Sequence, residues 1–283
     1  MERRGMGVDC DGLLELEGVL SERAVEIQRD WSLLFPDVLI SSSSQVSDFF
    51  YGEGLWPSRG IAQGKTGRYT VNADAMRSAL SLCKEGSLGK MGASLRLDYQ
   101  NIAKNLNTYT HKLVDQAAQH ADGRLRCSFL QHGTRTGRLS CSGPNLQNIP
   151  ARSDMGKRIR ECFVAPPGRT LVVADYSQIE LRMLAHLAKD GALADAYRSG
   201  EDIHQRTADF VGCSRHQAKT INFATVYGAA SKKLGKQLGV PKKEAQKFLD
   251  GYNRAYPEVE RLRKAVLKAS YARGYVRTYS GRL

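Results

Sequence analysis

The sequence lacks several features that would assign it to a well-defined class of protein. Across its 283 residues no apolar run approaches the roughly 18 residues of a membrane-spanning helix. Its first residues, MERRGMGVDCDG, have no apolar core behind their basic side chains and so predict no secretory signal. A content of 41% hydrophobic and 25% charged residues excludes wholesale disorder. The sequence therefore predicts a globular protein, long enough for two ordinary domains and without a membrane partner.

Closely spaced disulfide or metal-binding side chains are also missing. The nearest two of the six cysteines, Cys127 and Cys141, are fourteen positions apart, so the chain has no Cys-x-x-Cys pair and no compact disulfide framework. The six histidines are equally scattered, which argues against a zinc site. Reduced, buried thiols are typical of a cytoplasmic protein, and we expect that location.

Acidic residues become scarce in the last quarter of the chain. The whole sequence has 42 Lys and Arg against 29 Asp and Glu, a formal charge of +13. Residues 214–283 hold sixteen basic and only four acidic residues, so this segment carries +12 and the first 213 residues carry +1. Such a segment favours a polyanion partner, nucleic acid or nucleotide. The alternative is a solvated basic face that binds nothing.

Helical periodicity dominates the pattern of apolar residues. The sequence predicts helices over Leu13–Leu34, Ala93–Gln119 and Gln178–Lys189. Two further helices are predicted from their caps, one after the serine run Ser41–Ser44 and one from Asn72 to Leu82. From residue 190 onward helices prevail. Strands are predicted at Leu125–Gln131 and at the apolar run Thr170–Ala174, and a strand or hairpin arm at the C-terminal GYVRTYSGRL.

Asp175 directly follows the predicted strand Thr170–Ala174 and precedes a polar turn and a helix. A carboxylate at the carboxyl end of a buried strand is a common place for a catalytic or metal-binding acid. A helix cap for Gln178–Lys189 is the alternative interpretation of the same residue.

Four side chains recur every fourth residue in the helix that Ser214 opens: Arg215, Lys219, Phe223 and Tyr227. Steps of four residues place them on one slowly drifting stripe, cationic at its start and aromatic at its end. The positive helix N-terminus and the two cations favour a triphosphate, and the aromatic rings offer faces for stacking a base. The alternative is an amphipathic helix that buries the aromatics and leaves the cations in solvent.

A polar, glycine-rich strip runs from residue 132 to residue 152. It combines arginines with amide side chains, a composition that suits contacts to phosphates and to base edges in the minor groove, although an ordinary surface loop would look similar. Its candidate DNA-binding residues are Arg138, Asn145, Gln147, Asn148 and Arg152.

Several long motifs together resemble one known family. The segments TGRLSCSGPNLQNIPAR, DYSQIELRMLAHLAKD, GEDIH and RHQAKTINFATVYG are similar, in this order, to the polymerase domain of family-A DNA polymerases of the bacterial polymerase I type. The resemblance extends over nearly the whole chain. It implies an α+β fold with the right-hand architecture of these enzymes: a helical thumb (1–120), a partial palm (121–190) and helical fingers (191–283).

The resemblance also implies roles for single residues. Asp175, with the carbonyl of Tyr176, corresponds to the first metal-binding aspartate of a site for two Mg²⁺ ions, and Lys219 is also the candidate proton donor to the leaving pyrophosphate. The residues implied in dNTP binding are Gln178, Glu180, His204, Arg215, Lys219, Phe223 and Tyr227. Among them Glu180 matches the steric gate against a ribose 2′-hydroxyl, and Phe223, where some relatives have Tyr, implies discrimination against dideoxynucleotides. Lys104 and Asn105 are further candidates for contact with the DNA backbone.

One element of the family is missing from these residues. Its second catalytic carboxylate lies in a His-Asp-Glu motif on later palm strands, and Glu260 is the last acid here. We therefore expect a DNA-templated DNA polymerase that acts on primer–template DNA and dNTPs. We expect this chain to be a fragment or a split subunit of it, with weak or no activity until a second polypeptide supplies the rest of the palm. The alternative is a protein that binds primer–template DNA and nucleotide but has lost catalysis. A third interpretation, a generic basic RNA-binding protein, does not explain the ordered motifs.

Overall fold

The computed structural model describes residues 2–151, 153–189 and 191–282. The chain divides into two compact units, an N-terminal unit over Met1–Val172 and a C-terminal unit over Val173–Leu283. Helices dominate both, and small antiparallel strand pairs occur in the first, which agrees with the predicted α+β class. No helix in the described part of the chain is both long enough and apolar enough to cross a membrane. All six cysteines lie in that part and are free thiols.

The N-terminal unit contains six α-helices and four short strands among its described residues. The helices are α1 (Cys10–Leu34), α2 (Ser43–Gly52), α3 (Ala73–Leu82), α4 (Leu88–Asn105), α5 (His111–Ala118) and α6 (Asp154–Glu161). The strands are β1 (Gly7–Val8), β2 (Ser128–Leu130), β3 (Ser140–Ser142) and β4 (Phe163–Val164). Strand β1 pairs with β4, and β2 pairs with β3, both antiparallel.

Aromatic rings fill the core between α1, α2 and α4. Trp31 and Phe35 lie 4.7 Å apart between ring centroids, and Phe50 stacks on Trp56 at 4.0 Å. Both indole N–H groups find backbone acceptors, Trp31 on the carbonyl of Val38 at 2.6 Å and Trp56 on that of Gly89 at 2.7 Å. The large rings are therefore buried without leaving their polar atoms unpaired.

The C-terminal unit consists of helices packed around one core. They are α7 (Ile179–Ala188), α8 (Ala192–Arg198), α9 (Ile203–Val211), α10 (Arg215–Val226), α11 (Ser231–Leu238), α12 (Lys242–Ala255) and α13 (Pro257–Arg273). Leu181 of α7, Ile203 of α9, Ile221 of α10 and Tyr252 of α12 are fully buried in this core. The burial fixes which faces of α7, α9 and α10 remain available for chemistry.

Helix N-termini are the best-predicted feature of the fold. Asn72 caps α3 through its side-chain oxygen, which accepts from the amide of Ala75, and Ser42 caps α2 in the same way. The predicted helix over 93–119 begins earlier, because Ser87 caps α4, and it contains a π-turn at Leu106–Thr110 before α5. Capping chemistry is local, so sequence shows it directly.

The strand prediction at Thr170–Ala174 is wrong in this structure. No described segment lies beside these residues to form a ladder, and a strand exists only through hydrogen bonds to a neighbour. Val172 and Val173 are 88% and 87% exposed. The apolar run that suggested a buried strand therefore forms no regular element and is exposed.

Two other strand predictions also change. Within the predicted strand Leu125–Gln131, only Ser128–Leu130 forms a strand in the described structure, and it pairs with β3. The C-terminal segment forms no strand in its described part; the amide of Thr278 donates to the carbonyl of Arg282 across a tight turn at 2.7 Å. Leu125 also pairs with Met6 in an isolated antiparallel bridge, so the first segment is paired in two places with a break between them.

The packing of α4 on the aromatic core gives a stability prediction. A Cβ at Gly92 would collide with the ring of Phe50, whereas a Cβ at Gly18 of α1 would meet open space. Gly92→Ala should lower the free energy of unfolding by about 1–3 kcal/mol through overpacking. Gly18→Ala, the matched control, should raise it by roughly 0.5–1 kcal/mol through helix propensity. Urea denaturation followed by tryptophan fluorescence measures both, and an unchanged Gly92 variant would contradict the packing described.

Candidate nucleotide site and nucleic-acid interface

A cleft of about 450 Å³ opens in the C-terminal unit, between the segment that leads into α7, the start of α9 and one face of α10. It is lined by Asp175, Tyr176, Ser177, Gln178, Ile179, Glu180, His204, Arg215, Lys219 and Phe223. Eight of these were predicted from the sequence as metal or nucleotide residues. The ninth predicted residue, Tyr227, donates a hydrogen bond from its hydroxyl to Glu180 Oε2 at 2.6 Å. The fold thus gathers all nine, from three separate stretches of chain.

Helix α10 presents its stripe to the cleft because its other face is buried. Ser214 caps the helix and forms a reciprocal capping box with Gln217, which fixes where the helix begins. The residues turned into the core are Ala218, Ile221, Asn222 and Ala224. On the cleft side Phe223 is half-buried, while Tyr227, just beyond the helix, is 61% exposed. An amphipathic helix that simply buries both aromatics does not describe this arrangement.

Arg215 is held at the cleft by a carboxylate that the sequence analysis did not single out. Its Nε and Nη2 lie 2.8 and 2.7 Å from Asp202 Oδ2. Asp202 also caps α9, accepting from the amides of His204 and Gln205 at 2.9 and 3.2 Å. Burial raises the pKa of Asp202, but the hydrogen bonds from Arg215 and the two amides outweigh it and lower that pKa below its usual value. Asp202 therefore stays ionised and pairs with the guanidinium.

His204 is the buried member of the site. The residue is 3% exposed, and its Nδ1 lies 2.8 Å from Asn222 Nδ2. Burial lowers the pKa of His204, and the cations Arg215 and Lys219 lower it further against the opposing effect of Asp202. The imidazole is consequently neutral near pH 7.

The backbone before α7 shapes the acidic end of the cleft. Gln178 stands at the N-terminus of α7 in the left-handed region, with φ of 53° and no side-chain capping bond. Its side-chain oxygen instead accepts from the Tyr197 hydroxyl at 2.8 Å, and Arg182 lies over the Tyr197 ring at 4.6 Å. Asp175 does not cap the helix, which removes that interpretation of this residue. Tyr197 had no sequence signal, because only the fold brings α8 beside Gln178.

Asp175 is exposed, and no hydrogen bond or ion pair joins it to the described part of the chain. Its carboxylate and the nearby carbonyl of Tyr176 are oxygen donors, the type Mg²⁺ prefers. Among the described residues no group of three or more His, Cys, Asp or Glu side chains could enclose a metal ion. The donor set therefore fits Mg²⁺ bound through one carboxylate, with most of its ligands from outside the protein.

A second concave surface, of about 650 Å³, belongs to the N-terminal unit. It includes Lys104, Lys112, Asn145 and Asn148 together with the side chain of Tyr109, whose hydroxyl donates to the Asn148 carbonyl at 2.7 Å. Asn145 Oδ1 accepts from the amide of Gln147 at 3.1 Å and opens a short 3₁₀ turn. The groove therefore combines two lysines with exposed amides, as a nucleic-acid surface requires.

The remaining predicted DNA-binding residues lie apart from the lining of this groove. Gln147 and Arg138 are exposed on the same polar strip, and Asn105 is half-buried at the end of α4. Arg152 lies outside the described residues. The structure thus brings together Lys104, Asn145 and Asn148, and Lys112 is a cation that sequence reasoning missed although it stands eight residues after Lys104.

Known DNA polymerases are similar to this chain over nearly its whole length. The family model described as DNA polymerase family A matches residues 10–283. DNA polymerase I of Pseudomonas aeruginosa is 37% identical over 292 residues, covering 100% of this chain and 31% of that protein. The thermostable DNA polymerase I of Thermus aquaticus is 35% identical over 295 residues, covering 100% of this chain and 34% of that protein. The chain spans about a third of the length of these curated relatives.

A solved structure extends the likeness to the fold. The polymerase domain of Pol1 from M. smegmatis, in complex with DNA primer-template and dNTP, matches with a TM-score of 0.85 and 28% sequence identity. The match covers 99% of this chain and 49% of that one. It confirms the predicted polymerase-type α+β fold class. The family match over nearly all of the sequence establishes that the chain belongs to DNA polymerase family A.

Proposed function

We propose that this chain forms the nucleotide-binding and part of the catalytic machinery of a DNA-templated DNA polymerase, which transfers a nucleotide from a dNTP to a primer 3′-hydroxyl. The observation that carries the proposal is the shared cleft: the cationic and aromatic stripe of α10 faces the same cavity as Asp175 and Glu180. One end of the cleft suits a polyanion, and the other suits a sugar and base.

The phosphates are proposed to lie at the start of α10. Arg215, Lys219 and the N-terminal dipole of the helix attract negative charge, and His204 adds a neutral contact. Lys219 is exposed and makes no ion pair within the described residues, so its ammonium is available to a triphosphate and to the pyrophosphate that leaves. In this role Lys219 donates a proton to the leaving group.

The sugar and base are proposed to lie against Phe223 and Tyr227. The Phe223 ring offers a flat face beside the phosphates, and the Tyr227 hydroxyl holds the Glu180 carboxylate at 2.6 Å. A carboxylate fixed in this way would stand against a ribose 2′-hydroxyl, which supports Glu180 as the residue that selects deoxyribose. Gln178, oriented by Tyr197, lines the cleft beside Glu180.

Mg²⁺ would be held by the Asp175 carboxylate and the Tyr176 carbonyl together with phosphate oxygens of the substrate. It would neutralise the charge that develops on the transferred phosphoryl group. Two ions are proposed for the completed site. The second carboxylate that the family resemblance implies is not contained in residues 1–283, so we propose that activity requires the palm segment that carries it, supplied in the same chain or by a second polypeptide.

The groove of the N-terminal unit is the proposed surface for primer–template DNA. Lys104 and Lys112 supply charge for phosphates, and the exposed amides of Asn145 and Asn148 can donate to minor-groove acceptors that all base pairs share. Such contacts hold a duplex of any sequence, which suits a templated enzyme.

The second candidate is a non-catalytic protein that binds DNA and nucleotide, because the cations of the cleft and of the groove would attract polyanions without any reaction. Primer extension with Mg²⁺ and dNTPs separates the two, run with and without a polypeptide that carries the missing palm segment. We expect extension to appear only with the added segment and to disappear with Asp175→Asn. Persistent DNA binding without extension in any combination would establish the binder instead.

Lys219→Ala tests the triphosphate assignment in a way that does not require turnover. We expect the dNTP affinity of the complex with a 3′-dideoxy-terminated primer–template to fall by roughly ten- to a hundredfold, because charge-assisted hydrogen bonds to phosphate are lost. DNA affinity should change little. Lys268→Ala, an exposed lysine of α13, is the matched control and should leave both unchanged. Equal losses of dNTP and DNA affinity in Lys219→Ala would contradict the assignment.

Asp202→Asn tests whether the carboxylate competes with phosphate for Arg215. Asparagine keeps the capping oxygen for α9 but removes the negative charge beside the guanidinium. The pair is exposed, so its release should tighten tripolyphosphate binding only modestly, by about two- to fivefold in isothermal titration calorimetry. Weaker binding would show that Asp202 acts by orienting Arg215. Asp209→Asn, in the same helix, is the control for a change of net charge alone.

A further inference from the structure

The segment that leads into α7 ends in a turn whose backbone conformation needs support. Residues 173–177 are all exposed. Gln178, which follows them at the N-terminus of α7, has φ of 53° and ψ of 37°, in the left-handed region. This conformation costs free energy for a residue that has a Cβ, and it persists only where neighbouring groups hold it. The turn therefore depends on contacts from the helices beside it.

Tyr197 of α8 supplies the first of these contacts. Its hydroxyl lies 2.8 Å from Gln178 Oε1. Either orientation of the amide satisfies the contact, because a tyrosine hydroxyl can donate to the amide oxygen or accept from the amide nitrogen. What the contact fixes is the position of the Gln178 side chain, whichever way its amide is turned. Burial raises the pKa of Tyr197 to about 12, so the hydroxyl keeps its proton at neutral pH.

Arg182 of α7 supplies the second contact and rests on the same tyrosine. Its Nε donates to the carbonyl of Ser177 at 2.9 Å. Its guanidinium carbon lies 4.6 Å from the centroid of the Tyr197 ring, within the range of a cation–π attraction. Two consecutive residues of the turn are thus tied to the protein, one by the hydroxyl of Tyr197 and the other by an arginine that lies over its ring.

Helix α8 is a firm support for these contacts. Leu193 and Ala196, on the buried face of α8, are 0% exposed. The amide of Leu193 also donates to Oε1 of Glu258 at 2.9 Å, and Glu258, on α13, is itself only 3% exposed. Tyr197 directly follows Ala196 and is half-buried. Its side chain is therefore anchored in the core of the C-terminal unit and can hold the turn in place.

The turn in turn determines where Glu180 stands. Glu180 lies in the first turn of α7, and the carbonyl of Gln178 accepts a hydrogen bond of that turn from the Arg182 amide at 3.1 Å. If Gln178 left its conformation, this carbonyl would rotate away and the first turn would fray. The Glu180 carboxylate, which accepts from the Tyr227 hydroxyl at 2.6 Å, would then lose the support of its backbone.

We propose that Tyr197 and Arg182 are positioning residues for sugar selection. They hold the turn at 177–178 and with it the first turn of α7, so that Glu180 stands at a fixed place against the 2′ position of the bound nucleotide. The proposal rests on the proposed function, which assigns the selection of deoxyribose to Glu180. It gives Tyr197 and Arg182 a part in substrate choice although neither lines the cleft.

Hydrogen–deuterium exchange of the free, full chain tests the support of the turn without any nucleotide. Tyr197→Phe removes the hydroxyl but keeps the ring under Arg182. We expect the amide of Arg182, followed by NMR, to exchange about three- to tenfold faster, because a local opening of the first turn becomes easier. Tyr271→Phe, at a tyrosine of α13 that is 88% exposed, is the matched control and should leave this rate unchanged. An unchanged rate in Tyr197→Phe would overturn the proposal.

Sugar selection is measured as the ratio of dATP affinity to ATP affinity, in the complex with a 3′-dideoxy-terminated primer–template that presents a thymine. Tyr197→Phe should lower this ratio by about three- to tenfold, mainly through tighter binding of ATP, because the 2′-hydroxyl meets a carboxylate that can move aside. Arg182→Ala should lower the ratio as well, and Tyr271→Phe should not. Equal weakening of dATP and ATP in Tyr197→Phe would show a general structural effect and overturn the positioning role.

A double-mutant cycle identifies the contact responsible. In Gln178→Ala the partner of the tyrosine hydroxyl is gone, so adding Tyr197→Phe should not change the ratio further. If the two substitutions lowered the ratio independently, their contact would not be the cause and the proposal would fail.

Two reference variants separate this proposal from the proposed function. Glu180→Ala should bring the ratio close to one; a ratio that stayed high would overturn both the assignment of Glu180 and the positioning role. A low ratio in Glu180→Ala with an unchanged ratio in Tyr197→Phe would overturn the positioning role alone. If Lys219→Ala left dATP affinity intact, the triphosphate assignment would fail, whereas the ratio of the two affinities would still decide the role of Tyr197.

Discussion

The rotational setting of α10 is the constraint on which the C-terminal site depends. Ser214 and Gln217 fix where the helix begins, and the burial of Ile221 and Asn222 fixes which face turns inward. With both determined, Arg215, Lys219 and Phe223 face the cleft together. A shift of the helix by one residue would rotate this stripe by about 100° and separate the cations from the segment around Asp175.

Two polar residues, Asp202 and Asn222, connect the rotational setting of α10 to the residues that line the cleft. Asp202 caps α9 and pairs with Arg215, so one carboxylate both begins a helix and neutralises a cation of the adjacent helix. Asn222 lies on the buried face of α10, yet it contacts the ring of His204. The scaffold and the cleft are therefore not separable, since the same side chains satisfy buried polar groups and contact residues that line the cleft.

The strand prediction at Thr170–Ala174 failed for a reason that the helices do not share. A helix satisfies its backbone within its own segment, so the caps at Ser42, Asn72 and Ser214 could be predicted from local residues. The apolar run at 170–174 needs hydrogen-bonding neighbours from elsewhere, and no described segment provides them. Its residue types therefore suited a strand although the structure forms none there. The division into thumb, palm and fingers stays a prediction, since the contacts define two units.

The sequence by itself determined the helix starts, the stripe of α10, the basic C-terminal segment and, through ordered motifs, the family. Each of these depends on residues close together along the chain. Only the tertiary structure decided that Asp175, His204 and Lys219 line one cleft, that Asp202 holds Arg215, and that a buried path leads from His204 to Tyr256. These contacts join positions up to about fifty residues apart, and they form because burial of the core brings separate helices together, an effect that no local pattern records.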